Sequence, residues 1–256
     1  MARSLVSGLL AAGWEASGIR VSEPLEKQRR LFAKLSIDTL VSNDDAIEGA
    51  EVVLLAVKPQ VLGEVLRSVH TLAPTQLLIS IAAGVPVGAL RRWTHPQQPI
   101  VRCMPNTPAL LRAGITGMYA DESVSAHQRA LAEQVLGAAG RTLWVAEEAQ
   151  LDAVTAVSGS GPAYFFYLME AMVDAGVGVG LDRDTATLLT LETAYGAALM
   201  ARAGNSPPAE LRANVTSPGG TTAAALEVLM EETAGLPALM RRAVAAAASR
   251  SRDLAR

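Results

Sequence analysis

Four consecutive apolar residues, Val52-Val53-Leu54-Leu55, lie between Glu51 and the turn Lys58-Pro59-Gln60. A strand with one wet face alternates apolar and polar side chains. An unbroken run must be covered on both faces, which is the situation in a parallel sheet flanked by helices. Glu51–Val57 therefore reads as an inner strand, and Val61–Val69 as the crossover helix that a parallel connection requires. Gln76–Ile81 and Ile100–Cys103 repeat the strand signal, with a helix at Pro86–Trp93 between them. Ile19–Val21 is an earlier strand, Ile115–Tyr119 one more, and Thr142–Val145 the last. Helices are expected at Met1–Gly13, Leu25–Ala33, Asn43–Glu48 (capped by Asn43 or Asp44) and Ser125–Ala139. This alternation predicts an α/β layer built on a parallel sheet. Ligands of such sheets lie beyond the carboxyl ends of the strands. Ser22–Pro24, Ala56–Pro59, Ala82–Gly84 and Met104–Thr107 would then surround one crevice.

From Ala149 onward the strand signals stop. Helices are read at Leu151–Val157, Ala163–Ala175, Asp182–Ala203, Pro207–Asn214, Thr221–Glu232 and Pro237–Leu254. Breaks are expected at Ser158–Pro162 and Gly176–Gly180. Tyr164, Phe165, Phe166, Leu168, Met169 and Met172 make one helix apolar around most of its girth, so a neighbour or a second subunit must cover it. The chain therefore divides into an α/β Rossmann-like part, residues 1–148, and an all-α dimerisation part, residues 149–256.

Between two of these helices lies Asn214–Thr222, N-V-T-S-P-G-G-T-T. Gly219 and Gly220 permit backbone angles closed to other residues. Thr221 and Thr222 then open a helix, whose first N–H groups have no partner within it. Such a loop suits a carboxylate or phosphate, and the hydroxyls add donors and acceptors.

Composition narrows the classes. Net charge is −3 with pI near 5.7, and no basic stripe interleaved with aromatics appears, which argues against nucleic acid. Mean hydropathy is +0.25, yet no apolar run has the ~18 residues of a membrane span. The start has no secretory-signal pattern, so a soluble cytoplasmic protein is expected. Cys103 is the single cysteine and reads as a small buried hydrophobe. His70, His95 and His127 show no metal-ligand spacing, so no metal is expected.

The pieces V-V-L-L-A-V-K-P-Q (52–60), M-P-N-T-P-A (104–109), V-T-A-V-S-G-S-G-P-A-Y (154–164) and V-T-S-P-G-G-T-T (215–222) resemble pyrroline-5-carboxylate reductases. The resemblance runs in order to the tail R-S-R-D-L (250–254). It implies a Rossmann-like dinucleotide-binding domain, a helical dimerisation domain, and NAD(P)H-dependent reduction of 1-pyrroline-5-carboxylate to L-proline. The implied partner is a second copy of the chain, with higher oligomers open.

Carried over residue by residue, Ser22, Pro24 and Asn43 would lie at the adenosine end of the cofactor. Ala56, Val57, Lys58 and Pro59 would line its pyrophosphate and ribose path. Ala82, Ala83 and Asn106 would lie near the nicotinamide, and Asn214 would contact that end. Thr155, Val215, Ser217, Gly219, Gly220, Thr221 and Thr222 would hold the substrate, with Thr222 in the catalytic role. The cofactor is NADP or NAD; Glu23 beside a ribose would favour NAD.

Sites of this type open with a strand and a glycine-rich turn. The reading has residue 1 already inside the first helix, so the dinucleotide domain is taken as N-terminally truncated, with weak cofactor binding as the consequence. Two other readings stand beside this one. One is a reductase of another cyclic imino acid. The other is a truncated, cofactor-weak helical dimer without activity.

Overall fold

A computed structural model describes residues 1–204 and 206–254. The chain forms two compact units. One comprises Met1–Ser160 together with the chain from Ala247 onward; the other is Gly161–Ala246.

The first unit holds strands β1 (Arg20–Ser22), β2 (Asp38–Leu40), β3 (Val52–Leu55), β4 (Leu77–Ser80), β5 (Ile100–Met104), β6 (Gly114–Ala120) and β7 (Gly140–Trp144). Its helices are α1 (Ala2–Ala11), α2 (Glu26–Ala33), α3 (Asn43–Ile47), α4 (Pro59–Arg67), α5 (Val87–Trp93), α6 (Ala126–Gly137) and α7 (Gln150–Val154). The α/β reading holds, with three differences. The strands form two hydrogen-bonded sheets, β1-β2 and β3-β4-β5-β6-β7. β2 was not expected: its D-T-L sequence has no apolar run to announce it. And β6 runs antiparallel to β5, while the other neighbouring pairs are parallel. The β5–β6 link, residues 105–113, contains only a 3₁₀ turn, Thr107–Leu111. That is shorter than the dozen or more residues a parallel crossover needs, so the chain must return antiparallel.

The apolar runs are covered as their pattern demands. Leu77, Leu78 and Ile79 of β4 and Ile100 and Val101 of β5 are fully buried. One layer packs them with α6, through Ala132, Val135 and Leu136. The other packs them with α4 and α5, through Leu62, Leu66, Ala89 and Leu90. Helix α1 joins the two sheets: Leu5 enters the core of the larger one, while Val6 packs with Phe32 and Ile37.

The second unit contains α8 (Gly161–Gly178), α9 (Arg183–Ala203), α10 (Pro208–Asn214), α11 (Thr221–Leu229) and most of α12 (Leu236–Leu254). The break expected from Gly176 comes later, because α8 runs on to Gly178 and only Val179–Gly180 turn. Asp182 then caps α9 by accepting from Thr185 N at 2.9 Å. Helix α8 packs on α9, yet Phe165, Phe166, Tyr167, Leu188, Leu189 and Tyr195 remain more than half exposed in the single chain. Among the described residues, no helix is long and apolar enough to cross a membrane.

Candidate functional site

Three loops leave the carboxyl ends of the parallel strands β3, β4 and β5 along one edge of the larger sheet. After β3 come Ala56, Val57, Lys58 and Pro59. Ala56 and Lys58 are exposed, and Lys58 is the N-cap of α4 with no side-chain capping bond. Pro59 takes the first helical position, where its missing N–H costs nothing. Val61 N donates to Lys58 O at 3.2 Å, so in the first turn the Gln60 N–H is the donor left with no acceptor inside the helix, at the end of the dipole that an anionic group favours.

After β4 come Ala82, 3% exposed, and the half-buried Ala83. Gly84 follows at φ +75°, a left-handed angle that a side chain would strain. Ser22 ends β1 of the smaller sheet and Pro24 follows it, and Asn43 opens α3 beside β1 and β2. The α3 cap is Ser42, which accepts from Asp45 N at 3.2 Å. It is neither Asn43 nor Asp44, because Asp44 Oδ1 is occupied by the N–H groups of His70 and Thr71 at 2.6 and 2.9 Å. The Glu23 carboxylate accepts from Leu25 N at 3.0 Å at the start of α2.

Asn106 and Thr155 are brought together by an unexpected device. The break read at Ser158–Pro162 is a π turn, Thr155–Gly159, in which Ser160 N donates to Thr155 O at 2.8 Å. Pro162 has no N–H to offer the carbonyl of Ser158, four residues earlier. Asn106 supplies the missing donor: its Nδ2 reaches Ser158 O at 3.2 Å, while its Oδ1 accepts from Ile115 N at 3.0 Å. Asn106 is therefore a buried brace between the β5 loop, β6 and the π turn. Gly159 lets this turn press on β5, since a Cβ there would lie 2.6 Å from Met104 Cε. The Thr155 hydroxyl donates back to Leu151 O at 2.7 Å.

In the second unit, Asn214 is the last residue of α10, and the exposed Val215, Ser217 and Gly219 lead to α11. Gly219 has φ +69°. Gly220 N donates to Ser217 O at 3.0 Å, so that N–H closes the turn rather than facing outward. Gly220 caps α11 without a side-chain bond, and the first helical bond runs from Ala224 N to Gly220 O at 3.2 Å. The N–H groups of Thr221, Thr222 and Ala223 thus head the helix, with no acceptor available within it. Thr222 is half-buried and Thr221 exposed.

Sequence reasoning missed an ion pair beneath the sheet edge. Arg102, 7% exposed in β5, donates from Nη1 to Glu148 Oε1 at 3.0 Å. The same oxygen accepts from Val87 N, at the start of α5, at 2.8 Å. A cation inside an otherwise apolar strand was the available signal, since a buried charge demands a partner. Cys103, beside it, is buried, and burial pushes its thiol well above the usual range, as fits a small hydrophobe. His70, His95 and His127 are exposed.

Two families match separate stretches of the chain. The family described as pyrroline-5-carboxylate reductase dimerisation matches residues 148–254. The family described as NADP oxidoreductase, coenzyme F420-dependent, matches residues 1–84. The pyrroline-5-carboxylate reductase of Pseudomonas aeruginosa is 52% identical over 100% of this chain and 93% of its own length. A solved pyrroline-5-carboxylate reductase from Coxiella burnetii superposes with a TM-score of 0.93 at 39% identity, covering 100% of this chain and 95% of that one. A Plasmodium falciparum pyrroline carboxylate reductase with NADP bound superposes with a TM-score of 0.86 at 28% identity, covering 99% of this chain and 94% of that one.

Proposed function

We propose a function on one premise: this chain belongs to the pyrroline-5-carboxylate reductase family. It is an NAD(P)H-dependent oxidoreductase that reduces the C=N bond of 1-pyrroline-5-carboxylate to give L-proline. It works as a homodimer, and the exposed aromatic and leucine side chains of α8 and α9 are the surface that a second copy covers. We infer a cytoplasmic setting, and take residues 1–148 as the dinucleotide-binding domain and 149–256 as the helical dimerisation and substrate domain.

The residues of the first unit fit a dinucleotide. The head of α4 lacks a side-chain cap, and small residues line the loops after β3 and β4. In our reading Ser22, Pro24 and Asn43 hold the adenosine end, and Ala56–Pro59 hold the pyrophosphate and ribose. Ala82, Ala83, Asn106 and Asn214 lie toward the nicotinamide. The cofactor, NADP or NAD, would supply the hydride when bound in its reduced form, NADPH or NADH.

The observation that carries the substrate assignment is the uncapped head of α11. Thr221, Thr222 and Ala223 offer N–H groups at the positive end of a helix dipole, suited to the substrate carboxylate. Val215, Ser217, Gly219 and Gly220 shape the loop around it, and Thr155 faces the same substrate. Thr222 gives the ring nitrogen a hydrogen bond. A protonated imine is the better electrophile, so these residues have to orient the ring and favour the protonated nitrogen rather than act as strong acids.

Purified protein supplied with 1-pyrroline-5-carboxylate and NADPH or NADH should consume the dihydronicotinamide and release L-proline in equal amounts. Absence of proline would refute the reading. Faster turnover of a six-membered cyclic imino acid would reassign the substrate.

A further inference from the structure

The loop from Ile81 to Pro86 connects β4 to α5; three of the contacts that fix the loop and the first residue of α5 come from outside that helix. Ala82 N donates to Ser80 Oγ at 3.4 Å. Val87 N donates to Glu148, which Arg102 holds in turn. The third contact comes from the far end of the sequence. At Gly84 a Cβ would stand 3.0 Å from the carbonyl carbon and oxygen of Leu254 and 3.1 Å from its Cβ. The backbone of the last described turn of α12 therefore lies directly against the backbone of this loop.

That turn is itself anchored. Ser251 is 4% exposed, and its Oγ donates to Asp152 Oδ1 at 2.6 Å. Asp152 lies in α7, between Glu148 and Thr155. One turn of α12 thus touches the β4 loop at Gly84 and is pinned to α7 by a partly buried hydrogen bond to a carboxylate.

The chemistry of the contact argues against simple adhesion. A helix end docked only for stability buries apolar side chains. Here the Leu254 side chain is 52% exposed, and the fixed elements are a backbone contact and a polar pair. Such a contact sets a position more than it buries area. A short charge-assisted hydrogen bond also defines distance and direction, which apolar contact does not.

We infer that the last turn of α12, pinned by Ser251 to Asp152, is a positioning element that sets the backbone of Ala82–Gly84 against the nicotinamide end of the cofactor. The inference rests on the reading of Ala82 and Ala83 as nicotinamide contacts.

The test compares two ligands on the full chain. One is NADPH or NADH, whichever the parent binds more tightly. The other is the matching fragment without nicotinamide, 2′-phospho-ADP-ribose or ADP-ribose. Ser251→Ala and Asp152→Ala should each weaken the whole cofactor about 5- to 20-fold and lower kcat, as expected when part of one hydrogen bond's free energy is lost. Fragment affinity should stay within about twofold, a change too small to reflect a lost contact. Asp152→Asn keeps an oxygen for Ser251 and should bind both ligands like the parent. Unchanged cofactor affinity in Ser251→Ala and Asp152→Ala would overturn the inference, and so would an equal loss for both ligands, the mark of a merely structural role. Ala83→Phe serves as the control. If it weakens the whole cofactor while Ser251→Ala does not, only the role of α12 is refuted. If Ala83→Phe leaves cofactor affinity intact, the loop assignment is refuted, and this inference with it.

Discussion

Replacing Asn106 by alanine should cost far more than the loss of one polar side chain from a loop. Its two hydrogen bonds serve backbone groups, the Ile115 N–H and the Ser158 carbonyl, at 3.0 and 3.2 Å. Neither backbone group moves away when the side chain is cut back. An unsatisfied buried polar group costs roughly 1–3 kcal/mol, and both residues are half-buried rather than sealed, so the lower part of the range applies. Asn106→Ala should therefore destabilise the first unit by about 2–3 kcal/mol. Asn106→Asp keeps the acceptor for Ile115 but sets a carboxylate oxygen against the Ser158 carbonyl. That repulsion raises the folded-state pKa of the introduced carboxyl. Its protonated form can donate as the amide does, so this variant should recover stability as pH falls through that raised value. Urea unfolding followed by circular dichroism gives the free-energy change, and amide hydrogen exchange at Ile115 localises it. Asn106→Ala within about 0.5 kcal/mol of the parent, with the Ile115 amide still protected, would refute the brace.

Thr222→Ala should lower turnover about 10- to 100-fold, the loss of one hydrogen bond of roughly 1.5–3 kcal/mol to a charged group; a parent-like rate would remove Thr222 from the proton path. Arg91, bound through both oxygens of Asp121, holds that carboxyl at about 2, below its ordinary 3.8. A depressed folded pKa stabilises the protein above the ordinary value, and this contribution is lost as pH falls from about 4 through 2. Discounted for solvent at a side chain 28% exposed, the pair should contribute about 1–2 kcal/mol at neutral pH. The stability deficit of Asp121→Asn should therefore shrink steadily in unfolding series toward pH 2, and a deficit independent of pH would refute the assignment.

What could be read from the sequence was what side-chain type alone decides. Val52–Leu55 announced a covered strand because four apolar residues in succession leave no wet face. The loop at Gly219–Thr222 announced a helix head because glycines and hydroxyls there have few other uses. Features set by connection and distance were hidden. The reversal of β6 depends on the length of the link before it. The π turn depends on a donor carried by Asn106, fifty-two residues before Ser158. The short β2 is held by its pairing with β1 and has little signal of its own. Arg102 was visible but unread: its meaning lay in Glu148, which only folding brings near.

The first unit is assembled from two pieces of chain separated by the whole of the second. During translation the ribosome delivers β4, its loop and α7 long before Ser251 and Leu254 exist. Until those residues emerge, the Asp152 carboxylate and the backbone at Gly84 face solvent or a chaperone. The β4 loop therefore gains its last contact only after the entire helical unit has been made, so that on a nascent chain this loop is finished late.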